Sequence, residues 1–250
     1  MQIAFKIGTT SSIFMVMPLI RDGIRLLIAS SSPREYGSVR IVAKIVEGFA
    51  KDIEGVEAIH IDVYDYDIKP CLGCVSDDVM LCRYPCVIED DMRKLYEYIV
   101  NSDGIIFITP IYWYNVPGPM KNFIDRLTVF ENAIFTEGRS RLEGKVASFI
   151  AIGNDTGSIA VIQNLMAIMN SMGVVIPPWA LAYHTSDEDP LENESFILDV
   201  ANVVRCTVLM IKALKGIEKP IYWYRADDEY KTLVKKIARD IANNYLSSIL

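Results

Sequence analysis

The residues best suited to hold a cofactor lie in a loop rich in aromatic and proline residues, directly after a short apolar segment. The apolar segment, residues 104–108, is typical of a buried strand, and a helix with Pro119 in its first turn follows the loop. This order places Tyr112, Trp113 and Tyr114 at the carboxyl end of a strand, where open α/β sheets bind planar ligands. Core packing or an interface patch is the alternative, but three consecutive aromatic residues can hardly all face one core. We therefore expect at least one of them to be exposed.

A second candidate site follows the first predicted strand, where residues 30–38 read Ser-Ser-Ser-Pro-Arg-Glu-Tyr-Gly-Ser and open a helix. Serine hydroxyls and the amides of a helix N-terminus form an anion site, and Arg34 can add a charge-assisted bond to a phosphate. The segment lacks both the Gly-x-Gly-x-x-Gly dinucleotide pattern and the Gly-Lys-Ser/Thr of nucleotide triphosphatases. A plain turn with a serine N-cap is the alternative. Its position in the first βα loop favours a phosphate site.

Four cysteines, Cys71, Cys74, Cys82 and Cys86, fall within one predicted loop, whereas Cys206 lies in an apolar helix as an inert residue. Four thiolates can bind a [4Fe–4S] cluster or a structural zinc ion, and they can also form disulfides or remain free. The two histidines, at positions 60 and 184, do not extend this set, and structural roles are expected for both.

The elements that must position these residues alternate between strands and helices. Apolar segments predict strands at residues 24–29, 56–63, 104–108, 146–152 and 174–176, with amphipathic helices between them. We therefore predict an α/β fold with a doubly wound five-stranded parallel sheet of order 2-1-3-4-5 and helices on both faces, as in flavodoxin. Two further helices are predicted at residues 195–212, packed on the sheet, and 228–246, which covers either a subunit interface or the core.

We expect one domain, residues 24–180, with an N-terminal extension at 1–23 and a C-terminal helical extension at 181–250. The apolar run at residues 13–20 is expected to be an extra strand or hairpin rather than a cleaved signal peptide. A net charge of −7 without a basic run argues against nucleic acid as a partner. No apolar run has the length of a membrane span, so a cytoplasmic location is expected.

Several motifs together resemble a known family. Ser32-Pro33-Arg34, Pro110-Ile111-Tyr112-Trp113 and Lys121-Asn122-Phe123-Ile124-Asp125-Arg126 resemble the NAD(P)H-dependent FMN reductase superfamily. Within it, Cys71-Leu72-Gly73-Cys74 and the segment 86–92 resemble the iron–sulfur flavoproteins. The resemblance spans about residues 24–176 and is most specific in the two loops described above.

The resemblance implies bound FMN, with NAD(P)H as co-substrate. It assigns Ser30, Ser32, Arg34 and Ser38 to the phosphate, and Pro110, Ile111, Tyr112, Trp113, Tyr114 and Asn115 to the isoalloxazine ring. It places Asn154, Asp155 and Gly157 at another edge of the ring, and it implies a homodimer or homotetramer.

Three positions depart from the family pattern. Ser31 stands where glycine is usual, Val39 where a hydroxyl residue is common, and Asp77 where a third cysteine closely follows the Cys-x-x-Cys pair. The possible [4Fe–4S] cluster of Cys71, Cys74, Cys82 and Cys86 therefore has an unusual ligand spacing.

These observations favour an FMN-dependent oxidoreductase that takes electrons from NAD(P)H or a redox protein and passes them to an acceptor. An iron–sulfur flavoprotein that carries electrons without small-molecule turnover is the alternative, and a structural α/β protein without nucleotide is a third possibility. Because the flavin itself performs the redox chemistry, we predict no catalytic side chain. Tyr112 and Trp113 are expected to shape the acceptor pocket.

Overall fold

The computed structural model of the chain describes residues 23–217, 223–225 and 227–247. Its centre is a parallel sheet of five strands in the order β2-β1-β3-β4-β5, which confirms the predicted topology. The strands are β1 (Ile24–Ser30), β2 (Val56–Asp62), β3 (Gly104–Pro110), β4 (Val146–Gly153) and β5 (Leu181–Thr185). Except for residue 23, the predicted N-terminal extension, with its strand or hairpin at 13–20, lies outside the described residues.

Helices cover both faces of the sheet, as predicted. They are α1 (Ser38–Lys51), α2 (Met92–Asn101), α3 (Gly118–Arg126), α4 (Thr128–Glu131), α5 (Ala133–Glu137), α6 (Ser158–Ser171), α7 (Glu194–Lys215) and α8 (Asp228–Ser247). Short 3₁₀ turns lie at Val63–Asp65, Cys74–Ser76 and Pro190–Glu192.

The two sides of the sheet build separate cores because successive strand residues point to opposite faces. Leu27 and Phe107 pack with α2, α3 and α6 on one side. Leu26 and Ile106 pack with α1 and α7 on the other side. This is the two-sided burial expected of a parallel sheet, and it confirms that the first C-terminal helix, α7, packs on the sheet.

The predicted fifth strand at residues 174–176 is wrong. Val175 forms only an isolated bridge with Val146, and Pro177 and Pro178, which lack N–H groups, stop the ladder there. The chain re-enters the sheet at Leu181, which lies opposite Phe149 of β4. The fifth strand thus begins inside the segment that the sequence assigned to the C-terminal extension.

The last helix, α8, has no buried residue among those described. It therefore does not cover the core that the described residues form, which was one of the two roles expected for it. No helix in the described part of the chain combines the length and the apolar character that a membrane span requires.

Candidate cofactor-binding site

Three loops meet at the carboxyl edge of the sheet, after β1, β3 and β4. Parallel pairing of β1 with β3 and of β3 with β4 makes these loops neighbours. Two backbone bonds continue the ladder into them, from Ser31 N–H to the Ile108 carbonyl (3.0 Å) and from Ile111 N–H to the Ile152 carbonyl (3.1 Å). The structure therefore brings the three predicted groups of site residues together.

The loop after β1 is a compact turn that leads into α1. The Ser32 hydroxyl accepts a bond from Arg34 N–H (3.2 Å) and donates to the Arg34 carbonyl (3.0 Å). Gly37 closes the turn, and a Cβ atom at that position would lie 3.1 Å from Ser32 Oγ, so a larger residue there would push Ser32 away by a few tenths of an ångström. Since Gly37 is also the N-cap, no side chain of the described residues caps the first turn of α1, and its amides stay available to an anion.

The four residues predicted to bind phosphate have different surroundings. Arg34 is exposed, and its guanidinium has no partner among the described residues. Ser38 opens α1 and is partly exposed, whereas Ser32 is buried in the turn. Ser30 has no exposed surface, and its hydroxyl donates to Asp62 (2.6 Å) and lies 2.8 Å from His60 Nε2. Ser30 therefore shapes the loop from inside.

Asp62, at the end of β2, is a central residue of this site that the sequence analysis missed. It lies opposite Ser30 in the β1–β2 register and accepts bonds from Ser32 N–H (3.1 Å) and Tyr64 N–H (3.0 Å). Arg40 of α1 approaches the same carboxylate, with 3.4 Å between Nε and Oδ2. The only signal in the sequence was an acidic residue at a strand end, which does not reveal its partners.

The aromatic loop after β3 is a tight hairpin. Tyr112 and Asn115 exchange two backbone bonds (2.8 and 3.0 Å), and Trp113 and Tyr114 have φ angles of 51° and 62°. These features are those of a two-residue type I′ turn, which normally contains Asn-Gly. Bulky residues are strained in this conformation, and such strain is concentrated at functional sites.

The hairpin presents its aromatic side chains to solvent. Trp113 is 94% exposed, and Tyr112 and Tyr114 are also exposed. The expectation that at least one of the three would be exposed is therefore confirmed, and core packing within the described chain does not explain them. An exposed and strained aromatic turn is suited to stacking against a planar ligand.

The loop after β4 supports the hairpin from behind. Gly157 has a φ angle of 96°, and a Cβ atom there would lie 3.1 Å from both Ile111 Cγ2 and Tyr114 Cδ1. Ile111 thus packs towards this loop, and Pro110 pairs with Ile152 as the last residue of β3. Asn154 and Asp155 are exposed at the tip of the loop.

The side chain of Tyr64 lies close to the hairpin and to the phosphate loop. Burial raises its pKa, and the nearby Tyr112 and Asp62 raise it further. Tyr64, which the sequence analysis did not select, therefore lies near both halves of the site.

These features fit a phosphorylated planar cofactor. The uncapped start of α1 and the unpaired Arg34 match a phosphate, and the exposed aromatic hairpin matches a flat ring. Among the described residues, the N–H groups of Trp113 and Tyr114 also have no hydrogen-bond partner, so they are available to polar atoms at a ring edge.

The four loop cysteines lie in the segment between β2 and α2. Burial, together with the nearby Cys71, Cys86 and Cys74, raises the pKa of the Cys82 thiol to about 11. None of the cysteines that the structure describes is in a disulfide. In the described ranges, no three Cys, His, Asp or Glu side chains are arranged to hold a metal ion. The thiols are therefore neighbours, but their arrangement does not fit a preformed metal centre.

A buried ion pair holds the two ends of the cysteine segment. Arg126 Nη1 donates to Asp90 Oδ2 (2.6 Å) and to the Lys69 carbonyl (3.1 Å), and both charged side chains are fully buried. Although burial raises the pKa of Asp90, its bonds from Arg126, Lys69 and Met92 bring it below its usual value. Asn132 also donates to the Val79 and Cys82 carbonyls, both at 2.6 Å. The segment is thus anchored independently of any bound group.

Comparison with known proteins finds a matching family model and flavoprotein relatives. A model of the family described as NADPH-dependent FMN reductase matches residues 24–187. An iron–sulfur flavoprotein of Archaeoglobus fulgidus is 28% identical over 166 residues, which cover 63% of this chain and 70% of that protein.

Solved structures show the same fold. RosB, solved with bound 8-demethyl-8-formylriboflavin-5'-phosphate, superimposes with a TM-score of 0.67 at 18% identity, covering 82% of this chain and 92% of RosB. A flavodoxin from the domain Archaea gives a TM-score of 0.50 at 12% identity, covering 76% of this chain and 99% of that protein. The fold is flavodoxin-like, and because the matched residues 24–187 contain all three loops of the site, the chain belongs to the NADPH-dependent FMN reductase family.

Proposed function

We propose that the chain is an FMN-dependent oxidoreductase that takes electrons from NAD(P)H or a redox protein and delivers them to a small-molecule or protein acceptor. The observation that carries this proposal is the meeting of the uncapped start of α1 with the exposed aromatic hairpin at one edge of the sheet. When bound, FMN supplies redox chemistry in one-electron or two-electron steps.

The proposed roles of the protein are binding and orientation. Arg34, Ser38 and the first-turn amides of α1 bind the phosphate, while Ser30 and Ser32 fix the shape of that loop. The hairpin at 110–115 covers the ring, and its free N–H groups stabilise charge at the ring edge. The remaining ring edge is bordered by Asn154, Asp155 and Gly157. Tyr112 and Trp113 shape the space for the acceptor.

The experiment compares binding of FMN with binding of riboflavin, which lacks the phosphate, by flavin fluorescence. We expect Arg34→Ala to weaken FMN binding about tenfold, because it removes a charge-assisted bond, and to leave riboflavin binding unchanged. Arg93→Ala is the matched control, since Arg93 is an exposed arginine of α2 paired with Glu89. A purified chain that has no flavin absorbance and takes up no added FMN would contradict the proposal.

Turnover is tested by NADH and NADPH oxidation with FMN present and with quinone, azo dye, ferric ion, oxygen or ferredoxin as acceptor. If the chain is an enzyme, it accelerates NADH or NADPH oxidation with at least one of the acceptors. If it is an electron carrier, it shows almost no NADH or NADPH oxidation.

The carrier function is the second candidate, as an iron–sulfur flavoprotein. It is supported by the four neighbouring thiols around Cys82 and by the name of the Archaeoglobus relative. In this alternative, Cys71, Cys74, Cys82 and Cys86 rearrange to bind a [4Fe–4S] cluster. Anaerobic reconstitution with iron and sulfide, followed by iron, sulfide and zinc analysis, tests it. Wild-type protein without bound iron, or a Cys82→Ser variant with unchanged iron content, contradicts the cluster.

We further propose a homodimer or homotetramer in the cytoplasm, without nucleic acid or membrane as a partner. The support for self-association is α8, whose seven exposed apolar residues lie along one helix. They are Tyr230, Leu233, Val234, Ile237, Ile241, Tyr245 and Leu246.

A further inference from the structure

A buried carboxylate lies directly under the candidate phosphate loop. Asp62 is only 2% exposed, and it accepts bonds from the Ser30 hydroxyl (2.6 Å), Ser32 N–H (3.1 Å) and Tyr64 N–H (3.0 Å). Burying a charge is costly unless it is hydrogen-bonded and paired. The position of Asp62 at the base of an anion site therefore needs a specific reason.

Arg40 is the cationic partner of Asp62 and contacts the same loop. Its Nε lies 3.4 Å from Asp62 Oδ2, and one Nη donates to the Ser32 carbonyl (3.3 Å). Both Nη atoms also donate to Asp65 (3.0 and 2.7 Å). Arg40 is thus held from two sides with its charge beneath the loop.

The two residues together hold both polar groups of the Ser32 main chain. Asp62 accepts the N–H of Ser32, and Arg40 donates to its carbonyl. Since the Ser32 hydroxyl in turn holds the main chain of Arg34, the pair determines the direction of the whole turn. The bond to Tyr64 N–H extends this control to a residue beside Tyr112 of the hairpin.

We propose that Asp62 and Arg40 are positioning residues for the flavin phosphate, and that they fix the loop in its binding shape before the cofactor arrives. This inference rests on the proposed function. A loop held in the bound geometry loses less conformational entropy on binding, so preorganisation appears as affinity for the phosphate-bearing ligand.

Simple electrostatics predicts the opposite effect for Asp62. Asp62, Asp65 and Arg40 together carry a net charge of −1, which disfavours a phosphate. If charge dominated, removing the Asp62 carboxylate would strengthen FMN binding. If positioning dominates, the same change weakens FMN binding and leaves riboflavin binding unaffected.

The test measures FMN and riboflavin dissociation constants for Asp62→Asn, Asp62→Ala and Arg40→Lys in the full chain. We expect the preference for FMN over riboflavin to fall about tenfold in Asp62→Ala and in the same direction in the other two variants. Glu57→Gln is the matched control. It removes an equal charge from β2, where its partner is Arg25 rather than Arg40 or Ser32, so it keeps the preference for FMN within about twofold.

Thermal melts of each variant separate positioning from general stability. A variant with a lower melting temperature but an unchanged preference for FMN overturns the proposal, and so does tighter FMN binding by Asp62→Asn. If Asp62→Ala does not fold, Asp62→Asn and Arg40→Lys, which are closer in shape, decide the question.

Wild-type protein without a preference for FMN over riboflavin overturns this inference and the proposed phosphate site together. A wild-type preference that all three variants retain overturns this inference alone.

Discussion

His60 connects protonation to the region beneath the phosphate loop. Its Nε2 lies 2.8 Å from Ser30 Oγ, and burial lowers its pKa from the usual value near 6.5. The unfolded chain therefore binds a proton near pH 6.5, while the native chain does so only at lower pH. By linkage, stability is unaffected above this range and decreases as the pH falls below about 6.5, down to the native pKa.

The free energy of unfolding is expected to fall between pH 7.5 and 5.5, by no more than about 1.4 kcal/mol, which is the limit for a histidine that stays neutral in the native chain. Urea unfolding at both pH values measures it. His60→Gln keeps a nitrogen donor near Ser30 but does not titrate. The variant should therefore lose less unfolding free energy than wild type between pH 7.5 and 5.5. An identical pH dependence in wild type and variant would contradict the assignment to His60.

The residues of the site divide into those that the sequence could and could not predict. The placement of Arg34, Trp113 and Gly157 at one edge was predictable because loops after strands of a doubly wound sheet meet there. Asp62 and Tyr64 were not predictable, because their roles depend on the β1–β2 register and on the turn after β2. Neither register nor hydrogen-bond partners can be obtained from residue type alone.

At the scale of elements, the hairpin turn combines strain with exposure. Its two central residues, Trp113 and Tyr114, adopt φ angles that favour Asn and Gly. We expect Trp113→Asn with Tyr114→Gly to stabilise the chain by about 1 kcal/mol, because the strain is relieved.

The same double variant should bind both FMN and riboflavin more weakly, since it removes ring-stacking area. Denaturant unfolding and fluorescence titration measure the two effects. The Phe135→Gly variant, which removes another exposed aromatic side chain, is the control for general loss of aromatic surface. Unchanged flavin affinity in the Asn-Gly variant would mean that the hairpin does not cover the ring.

The loop after β4 lies against the hairpin at Gly157. Gly157→Ala adds a Cβ atom 3.1 Å from Ile111 and Tyr114, whereas Gly138→Ala, with a φ angle of 84°, adds one in open space. Both variants carry the backbone cost of a positive φ angle, of about 1 kcal/mol. Only Gly157→Ala should also weaken binding of FMN and riboflavin to a similar extent, because it displaces the hairpin. Equal flavin affinities in the two variants would show that the loops are not coupled.

Sequence patterns predicted four strands of the sheet and failed for the fifth for a physical reason. The interior strands β1, β3 and β4 appear as continuous apolar runs. The sheet edges are β2, which was predicted, and β5, which has only five residues, alternately exposed and buried. The short apolar run at 174–176 resembled an interior strand more closely than Leu181–Thr185 did. Edge strands of this kind are specified by their partner, here β4, rather than by composition.

At the scale of the whole molecule, α8 is a long helix that takes no part in the core of the described residues. Its apolar residues Tyr230, Val234, Ile237 and Ile241 follow a spacing of three and four residues, as in helices that pack against another helix. No described α8 residue is buried within the chain, so the proposed self-association would bury this stripe against a second copy.

The prediction for assembly compares two double variants that add the same charge to opposite faces of α8. Ile237→Lys with Ile241→Lys places charges in the apolar stripe, and Thr232→Lys with Asn243→Lys places them on the polar face.

In light scattering coupled to size exclusion, wild type and the polar-face variant should have the mass of a dimer or tetramer. The stripe variant should shift towards the 28.2 kDa monomer, with dissociation at least about tenfold more favourable, because unpaired charges would have to be buried. Helical content from circular dichroism should remain the same in all three, since none of the described residues of α8 is buried in its own chain. A monomeric wild type, or a stripe variant that keeps the assembled mass, would exclude α8 as the contact between copies.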